Sequence, residues 1–245
     1  MRHILIASLI ALSTTCALAV DPPPELTEVW SPVPRKVSPG KTAGAPPSDA
    51  VILFEGKDLS AWETERGGPA KWIIEGESLV VRPGAGAIQT REHFSDCQLH
   101  VEWMAPVGAP VEQKGQARGN SGVFLQGRYE VQILDSYGNS TYVNGQAGAI
   151  YKQFSPLVNA SKPAGQWQSY DIIFTAPRFA ADGALASPAK VTVLQNGVLI
   201  QNDAILRGTT VYRGQPAYST HGPGPVMLQD HGNPVRFRNV WLRRL

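Results

Sequence analysis

The chain has 245 residues, 42% of them hydrophobic, which is enough to build a core and excludes disorder as its overall state. Lys and Arg number 22 against 20 Asp and Glu, a net charge of +2, far from the basic excess that binds phosphate backbones by counterion release, so no nucleic acid partner is expected. Gly (24) and Pro (20) make up close to a fifth of the chain while only 17% of residues are charged, a turn-rich composition.

Arg2, the apolar run from Ile4 to Leu12 and the small-x-small site Ala17-Leu18-Ala19 read as a secretory signal spanning residues 1–19. The run falls short of the ~20 apolar residues of a spanning helix, so the reading is a leader rather than an anchor. Ser13-Thr14-Thr15 lacks the residues that would mark Cys16 for lipid attachment. Cleavage near Ala19 places the mature chain in the periplasm or outside the cell, with no membrane span, and leaves Cys97 without a disulfide partner.

Residues 20–47 contain eight prolines, Pro22, Pro23, Pro24, Pro32, Pro34, Pro39, Pro46 and Pro47, which excludes helix and central strand. Val29, Trp30 and Val33 leave two readings open, an extended linker or a segment docked on the domain surface.

From Ser48 to Leu245 the pattern has period two, broken by turns. Strands are expected at 52–54, 72–81, 97–103, 123–125, 129–133, 167–175, 191–195, 198–200, 225–230 and 235–243, with Asn196-Gly197 fitting a type I′ hairpin turn. No helical period is sustained beyond about two turns. Many antiparallel strands without long helices indicate one all-β domain over 48–245, a β-sandwich or jelly roll.

The segment Gly119–Tyr137 concentrates the polar chemistry. Period two puts Glu130 and Gln132 on one face of a strand and Tyr129, Val131 and Ile133 on the other. A one-residue bulge after Gln132 would turn Asp135 to join Glu130, so that two carboxyls and an amide line one groove. Near the C-terminus Gln229 and His231 share a side beside a Gly-Asn-Pro turn, and a histidine there can exchange protons near neutral pH. His221 is borne on a loop. Arg118, Asn120 and Lys152 flank the first segment and could bind sugar hydroxyls or a carbonyl oxygen. The chain lacks Gly-x-x-x-x-Gly-Lys-Ser/Thr, His-Glu-x-x-His, Cys-x-x-Cys and Gly-x-Ser-x-Gly, which argues against nucleotide, zinc-protease and serine-esterase chemistry. No cofactor is evident; loop oxygens could supply a hard cation such as Ca²⁺.

Leu53-Phe54-Glu55-Gly56-Lys57-Asp58-Leu59-Ser60-Ala61-Trp62, the segment Gly119–Tyr137, Gly145-Gln146-Ala147-Gly148-Ala149-Ile150-Tyr151, Trp167–Asp171 and Met227-Leu228-Gln229-Asp230-His231-Gly232 together resemble the secreted bacterial 3-keto-disaccharide hydrolase domain family. The resemblance spans about residues 50–245 and implies a concanavalin-like jelly roll acting on glycosides already oxidised at C3, by hydrolysis or by elimination and hydration. A C3 ketone acidifies the C2 proton, so such chemistry wants a base, an acid for the departing oxygen and a stabiliser for the enolate. The expected assignment is Glu130 or His231 as base, Asp135 on the acid side, and Arg118, Asn120 or Lys152 at the ketone oxygen, with Gln132 and Gln229 as further substrate-binding residues.

Two alternatives remain at this level. A lectin-like carbohydrate-binding module would stack sugars on Trp62, Trp72, Tyr137 or Tyr142. A conventional retaining β-glucanase would need Glu-x-Asp-x-x-Glu where this chain has Glu130-Val131-Gln132-Ile133-Leu134-Asp135, and shortening Glu to Asp withdraws the acid from the ~5–5.5 Å carboxyl separation of that mechanism.

Overall fold

The computed structural model describes residues 21–108 and 113–245; the leader reading of residues 1–19, with Cys16, lies outside the described residues. The chain divides into two compact units, Met1–Lys36 and Val37–Leu245. Among the described residues of the first, Pro24–Thr27 form a short 3₁₀ turn, and Leu26, Val29, Trp30 and Val33 are exposed. The second unit takes in the end of the proline-rich segment: the Gly44 carbonyl accepts hydrogen bonds from Trp241 Nε1 (2.8 Å) and Asn239 Nδ2 (2.9 Å).

The strands of the second unit are β1 (Val51–Phe54), β2 (Trp62–Thr64), β3 (Ile73–Glu75), β4 (Ser78–Val80), β5 (Ile88–Thr90), β6 (Cys97–Met104), β7 (Ser121–Leu125), β8 (Tyr129–Ile133), β9 (Gln168–Thr175), β10 (Arg178–Phe179), β11 (Leu185–Ser187), β12 (Lys190–Gln195), β13 (Val198–Ile205), β14 (Met227–Leu228) and β15 (Arg236–Arg244). An eight-stranded antiparallel sheet runs β13-β12-β9-β6-β15-β4-β3 with β1 also on β15, and a five-stranded sheet runs β2-β5-β14-β7-β8. The two face each other across a continuous core in which Leu99, Val101 and Trp103 of β6 meet Val123, Leu125, Val131 and Ile133 of β7 and β8. Tyr129 and Phe174 pack across the layers with ring centroids 5.7 Å apart, and the buried Tyr170 hydroxyl donates to the Gln132 carbonyl at 2.7 Å. This is the concanavalin-like jelly-roll β-sandwich, all-β and with long-range antiparallel pairing.

The sequence-predicted strands fall where period two places them, with instructive exceptions. The expected run 72–81 is a hairpin, β3 and β4, turned at Gly76 with φ +60°. Asn196 (φ +53°) and Gly197 (φ +80°) form the expected turn between β12 and β13. Strands β2, β5, β10 and β11 have two or three residues each, too short for a readable alternation. Trp62 and Trp72, candidate sugar platforms in the sequence, are core residues instead: each is nearly inaccessible and donates its indole N–H, to the Leu53 and Gly86 carbonyls respectively. Among the described residues the one cysteine, Cys97, is buried and free, and burial pushes its thiol up to about 12.

Candidate active site

The face of the five-stranded sheet turned away from the core carries the site. β7 and β8 pair without interruption, Phe124 opposite Glu130 and Gly122 opposite Gln132, so their even-numbered side chains share that face. The turn between them holds Gln126 and Gly127 at positive φ (+53° and +64°), closed by Arg128 N–H on the Leu125 carbonyl at 3.0 Å. Along the outer edge of β8, residues 148–151 continue the hydrogen bonding: Gln132 N–H to Ala149 O, Gly148 N–H to Gln132 O and Tyr151 N–H to Glu130 O. Thr210 adds a clasp, its hydroxyl accepting from Glu130 N–H at 3.0 Å.

These elements enclose a cavity of about 250 Å³ lined by Asn120, Phe124, Glu130, Gln132, Tyr151, Thr210, Tyr212, Gln229 and His231. Glu130 is 4% exposed, and burial pushes its carboxyl up to about 8 from the ordinary carboxylate range. Among the described residues it has no ion-pair partner. Room for the carboxyl comes from Gly122, where a Cβ would lie 2.7 Å from Glu130 Oε1 and 2.9 Å from Phe124 Cε2. Three buried amide oxygens on the same cavity, Asn120 Oδ1, Gln132 Oε1 and Gln229 Oε1, have no donor among the described residues. Two of these amides are fixed from elsewhere, Asn120 Nδ2 donating to Gln116 O (2.6 Å) and Gln132 Nε2 to Gln116 Oε1 (2.9 Å), while Gln229 is held by its main chain, backbone N–H to Gly122 O (3.0 Å). Buried acceptors are normally satisfied, so this constellation suits a ligand rich in hydroxyl donors.

The structure thus brings Glu130, Gln132, Asn120, Gln229 and His231 together and leaves Asp135, Arg118 and Lys152 outside. The expected bulge after Gln132 does not form; β8 keeps regular register to Ile133 and the chain then leaves the sheet. Asp135 turns inward, 2% exposed, and binds Arg118 Nε at 2.7 Å while its N–H donates to the Arg118 carbonyl. Removing a carboxylate from water is tolerable here because that ion pair meets it, so the two residues form a structural pair. Lys152 occupies an adjoining cavity of about 410 Å³ with Tyr142, Asn144, Tyr151 and Tyr212. Its backbone is left-handed at φ +59°, a strain of order 1 kcal/mol for a non-glycine residue. His221 is a loop clasp: Nδ1–H donates to the Gly222 carbonyl at 2.8 Å, which leaves Nε2 to accept from the Tyr129 hydroxyl at 2.7 Å.

Thr210 and Tyr212 were not legible as site residues. Their stretch, Gly208–Pro216, is a Gly- and Pro-bearing loop far from β8 in sequence; an aromatic, Tyr212, within such a loop is the available cue. Among the described residues no group of three or more His, Cys, Asp or Glu side chains converges as a metal centre, and no helix is long and apolar enough to cross a membrane.

Residues 49–243 match the family model described as the 3-keto-alpha-glucoside-1,2-lyase-like domain. The chain belongs to this family. A solved structure from Parabacteroides distasonis ATCC 8503, provisionally assigned as a glycosyl hydrolase, is 49% identical, covers 91% of this chain and 97% of its own, and superposes with a TM-score of 0.86. A second from the same organism, with the same provisional assignment, is 20% identical over 80% of this chain and 94% of its own, with a TM-score of 0.59, and supports the fold. No curated protein matches the sequence. Family and neighbour together support a carbohydrate-active function.

Proposed function

We propose that this family member cleaves 3-keto-glycosides by removing the C2 proton. The observation that carries the reading is the Glu130 carboxyl, buried without a counter-ion and held near 8, in a cavity whose other buried groups are unmatched hydroxyl acceptors. An ordinary carboxylate is a weak base for a carbon acid; one with its pKa raised towards the working pH is a stronger base and is still partly ionised there. A binding module would have no use for a carboxyl held at that cost.

In the proposed step Glu130 takes the proton from C2 and the electron pair forms an enolate on the C3 oxygen. Collapse of the enolate forms the C1–C2 double bond and breaks the C1–O bond, and the departing oxygen takes a proton from His231, the exposed histidine of the same cavity. Addition of water across the double bond then returns the free 3-keto sugar, so elimination followed by hydration amounts to hydrolysis. The Tyr151 and Thr210 hydroxyls line the cavity as donors for the enolate oxygen, while Asn120, Gln132 and Gln229 accept from sugar hydroxyls.

The test is incubation of the mature protein with a 3-keto-glucoside and its unoxidised parent in D₂O, with and without EDTA, followed by NMR. Cleavage of the keto sugar alone with deuterium at C2 is expected, together with its loss in Glu130→Gln. Cleavage of the keto sugar without C2 deuterium would replace elimination by direct hydrolysis, and failure to cleave it would refute the reading.

A further inference from the structure

Arg118 and Asp135, which the cleavage chemistry leaves unused, hold a turn that reaches back to the cavity. The 3₁₀ turn Gly115–Ala117 lies directly before Arg118 in the chain. Buried Asn139 clasps its first residue, Oδ1 accepting from Gly115 N–H at 2.9 Å and Nδ2 donating to the Gly115 carbonyl at 3.0 Å. The Arg118–Asp135 ion pair, with Asp135 N–H on the Arg118 carbonyl at 3.2 Å, anchors the other end. Gln116 thus stands on a turn fixed at both flanks. Its Nε2 donates to the Gly145 carbonyl at 2.8 Å and to Thr141 Oγ1 at 3.1 Å, and its Oε1 accepts from Gln132 Nε2 at 2.9 Å. A carbonyl only accepts, so the Gln116 atom facing Gly145 is the nitrogen, its other atom is the oxygen, and the Gln132 atom that meets that oxygen is again a nitrogen. Gln132 Oε1 is thereby left on the cavity, with no donor among the described residues. The Gln116 main chain does the same for Asn120: its carbonyl accepts from Nδ2 at 2.6 Å, which leaves Oδ1 unmatched. A freely turning amide offers NH₂ as readily as oxygen; these two offer oxygen alone.

We infer, on the reading that this cavity holds the reacting sugar, that Gln116 is a positioning residue that sets the hydrogen-bonding sense of the site. Its side chain fixes Gln132, and its carbonyl fixes Asn120, as acceptors. The cavity therefore selects a ring position that bears a hydroxyl, which donates, over one that bears fluorine, which only accepts. Buried acceptors reject a ligand that lacks the donor, because they then stay unpaired away from water. Gln116 exerts this choice without lining the cavity itself. The same arrangement gives Arg118 and Asp135 a part in recognition at one remove, since their ion pair holds the turn that carries Gln116.

The experiment compares the wild-type chain with Gln116→Met, which keeps the side-chain length and removes both amide functions. Each protein is given a 3-keto-glucoside and its 4- and 6-deoxyfluoro analogues, and kcat/KM is read as the ratio of hydroxyl to fluoro substrate on one sample, which cancels any inactive fraction. The intrinsic effect of fluorine on the chemistry is common to the two proteins and cancels between them. The wild type is expected to favour the hydroxyl over at least one analogue by about tenfold or more, and Gln116→Met to lower that ratio at least about threefold, because a freed Gln132 can turn its NH₂ to the fluorine. In parallel, the side-chain amide signals of Gln132 and Asn120 are followed by NMR without substrate. The Gln132 signals should move on substitution, while those of Asn120, held by the main chain, should stay. Unmoved Gln132 signals overturn the positioning by Gln116. A ratio that is the same in both proteins, or no preference for the hydroxyl in the wild type, overturns the selectivity. A wild-type chain that turns over none of these sugars refutes the cleavage reading instead, and the amide signals still decide whether Gln116 positions Gln132.

Discussion

Glu130→Gln should make the protein more stable as it makes it inactive, and the gain should depend on pH. Folding moves this carboxyl from the ordinary value of 4.5 to about 8 by burial, so between those values the folded state binds a proton that the unfolded state has released. Unfolding stability therefore falls with rising pH across that window, by about 1.4 kcal/mol per unit for a single fully shifted group. At pH 7 the accumulated penalty is about 3 kcal/mol, and above pH 8 it levels off near 5 kcal/mol. Gln has the same shape and no charge to desolvate, so the variant should equal the wild type near pH 4 and exceed it at pH 7 by roughly 6–12 °C in Tm, taking about 2–4 °C per kcal/mol for a chain of this size. The other titratable groups on this cavity, His231 and the Tyr151 and Tyr212 phenols, remain in the variant; the Glu130 charge helps to raise the Tyr151 phenol, but burial already holds that group well above the pH range compared, so the difference between the two proteins reports Glu130. Thermal unfolding from pH 4 to 9, alongside turnover of a keto-glucoside, provides the assay. A loss of about 10²–10⁴-fold in rate is expected from removing the proton-transfer group. A variant whose Tm tracks the wild type at every pH would show that the carboxyl is not held neutral, and the argument for Glu130 as a tuned base would collapse.

Gly122→Ala should lower turnover at least about tenfold, because the new methyl meets Glu130 Oε1 at 2.7 Å and the Phe124 ring at 2.9 Å and displaces the carboxyl by a distance to which proton transfer is sensitive; unaltered kinetics would show that the glycine is not what seats the carboxyl. Arg118→Ala leaves Asp135 buried and unpaired and should destabilise the fold by about 3 kcal/mol, measured by urea unfolding; a loss under ~1 kcal/mol would mean that Asp135 finds another partner. For His100, burial alone would favour the neutral ring, but Asp171 at 2.7 Å and Glu102 at 3.8 Å outweigh it and hold the imidazole up to about 9. Its contribution to stability is therefore complete below about pH 6.5 and lost as pH rises through about 9, so His100→Gln should flatten the unfolding profile in that interval. An unchanged slope would refute the assignment.

What the amino-acid sequence determined by itself was local. Alternation along 97–103, 129–133 and 167–175 specified strands with one apolar face, and Asn196-Gly197 specified a hairpin, because side-chain period and positive-φ tolerance are properties of a few adjacent residues. The same alternation placed Glu130 and Gln132 together, and the turn chemistry near Gly232 placed Gln229 and His231 at a strand end. Tertiary structure decided what those faces became. Glu130 reads in the sequence like any polar position on a half-exposed sheet; it is a buried acid because residues 148–151 and the Thr210–Tyr212 loop close over β8. Asp135 reads like its catalytic companion only if a bulge turns it from the apolar face to the side of Glu130, yet no bulge forms and Arg118 pairs with the buried carboxylate instead. Lys152 reads like a ligand for the reacting ketone and lies one cavity away, where three tyrosines gather from segments up to 70 residues apart in the chain. Desolvation, which sets the chemistry of Glu130, comes from what packs over a residue, and chain neighbours do not encode that cover.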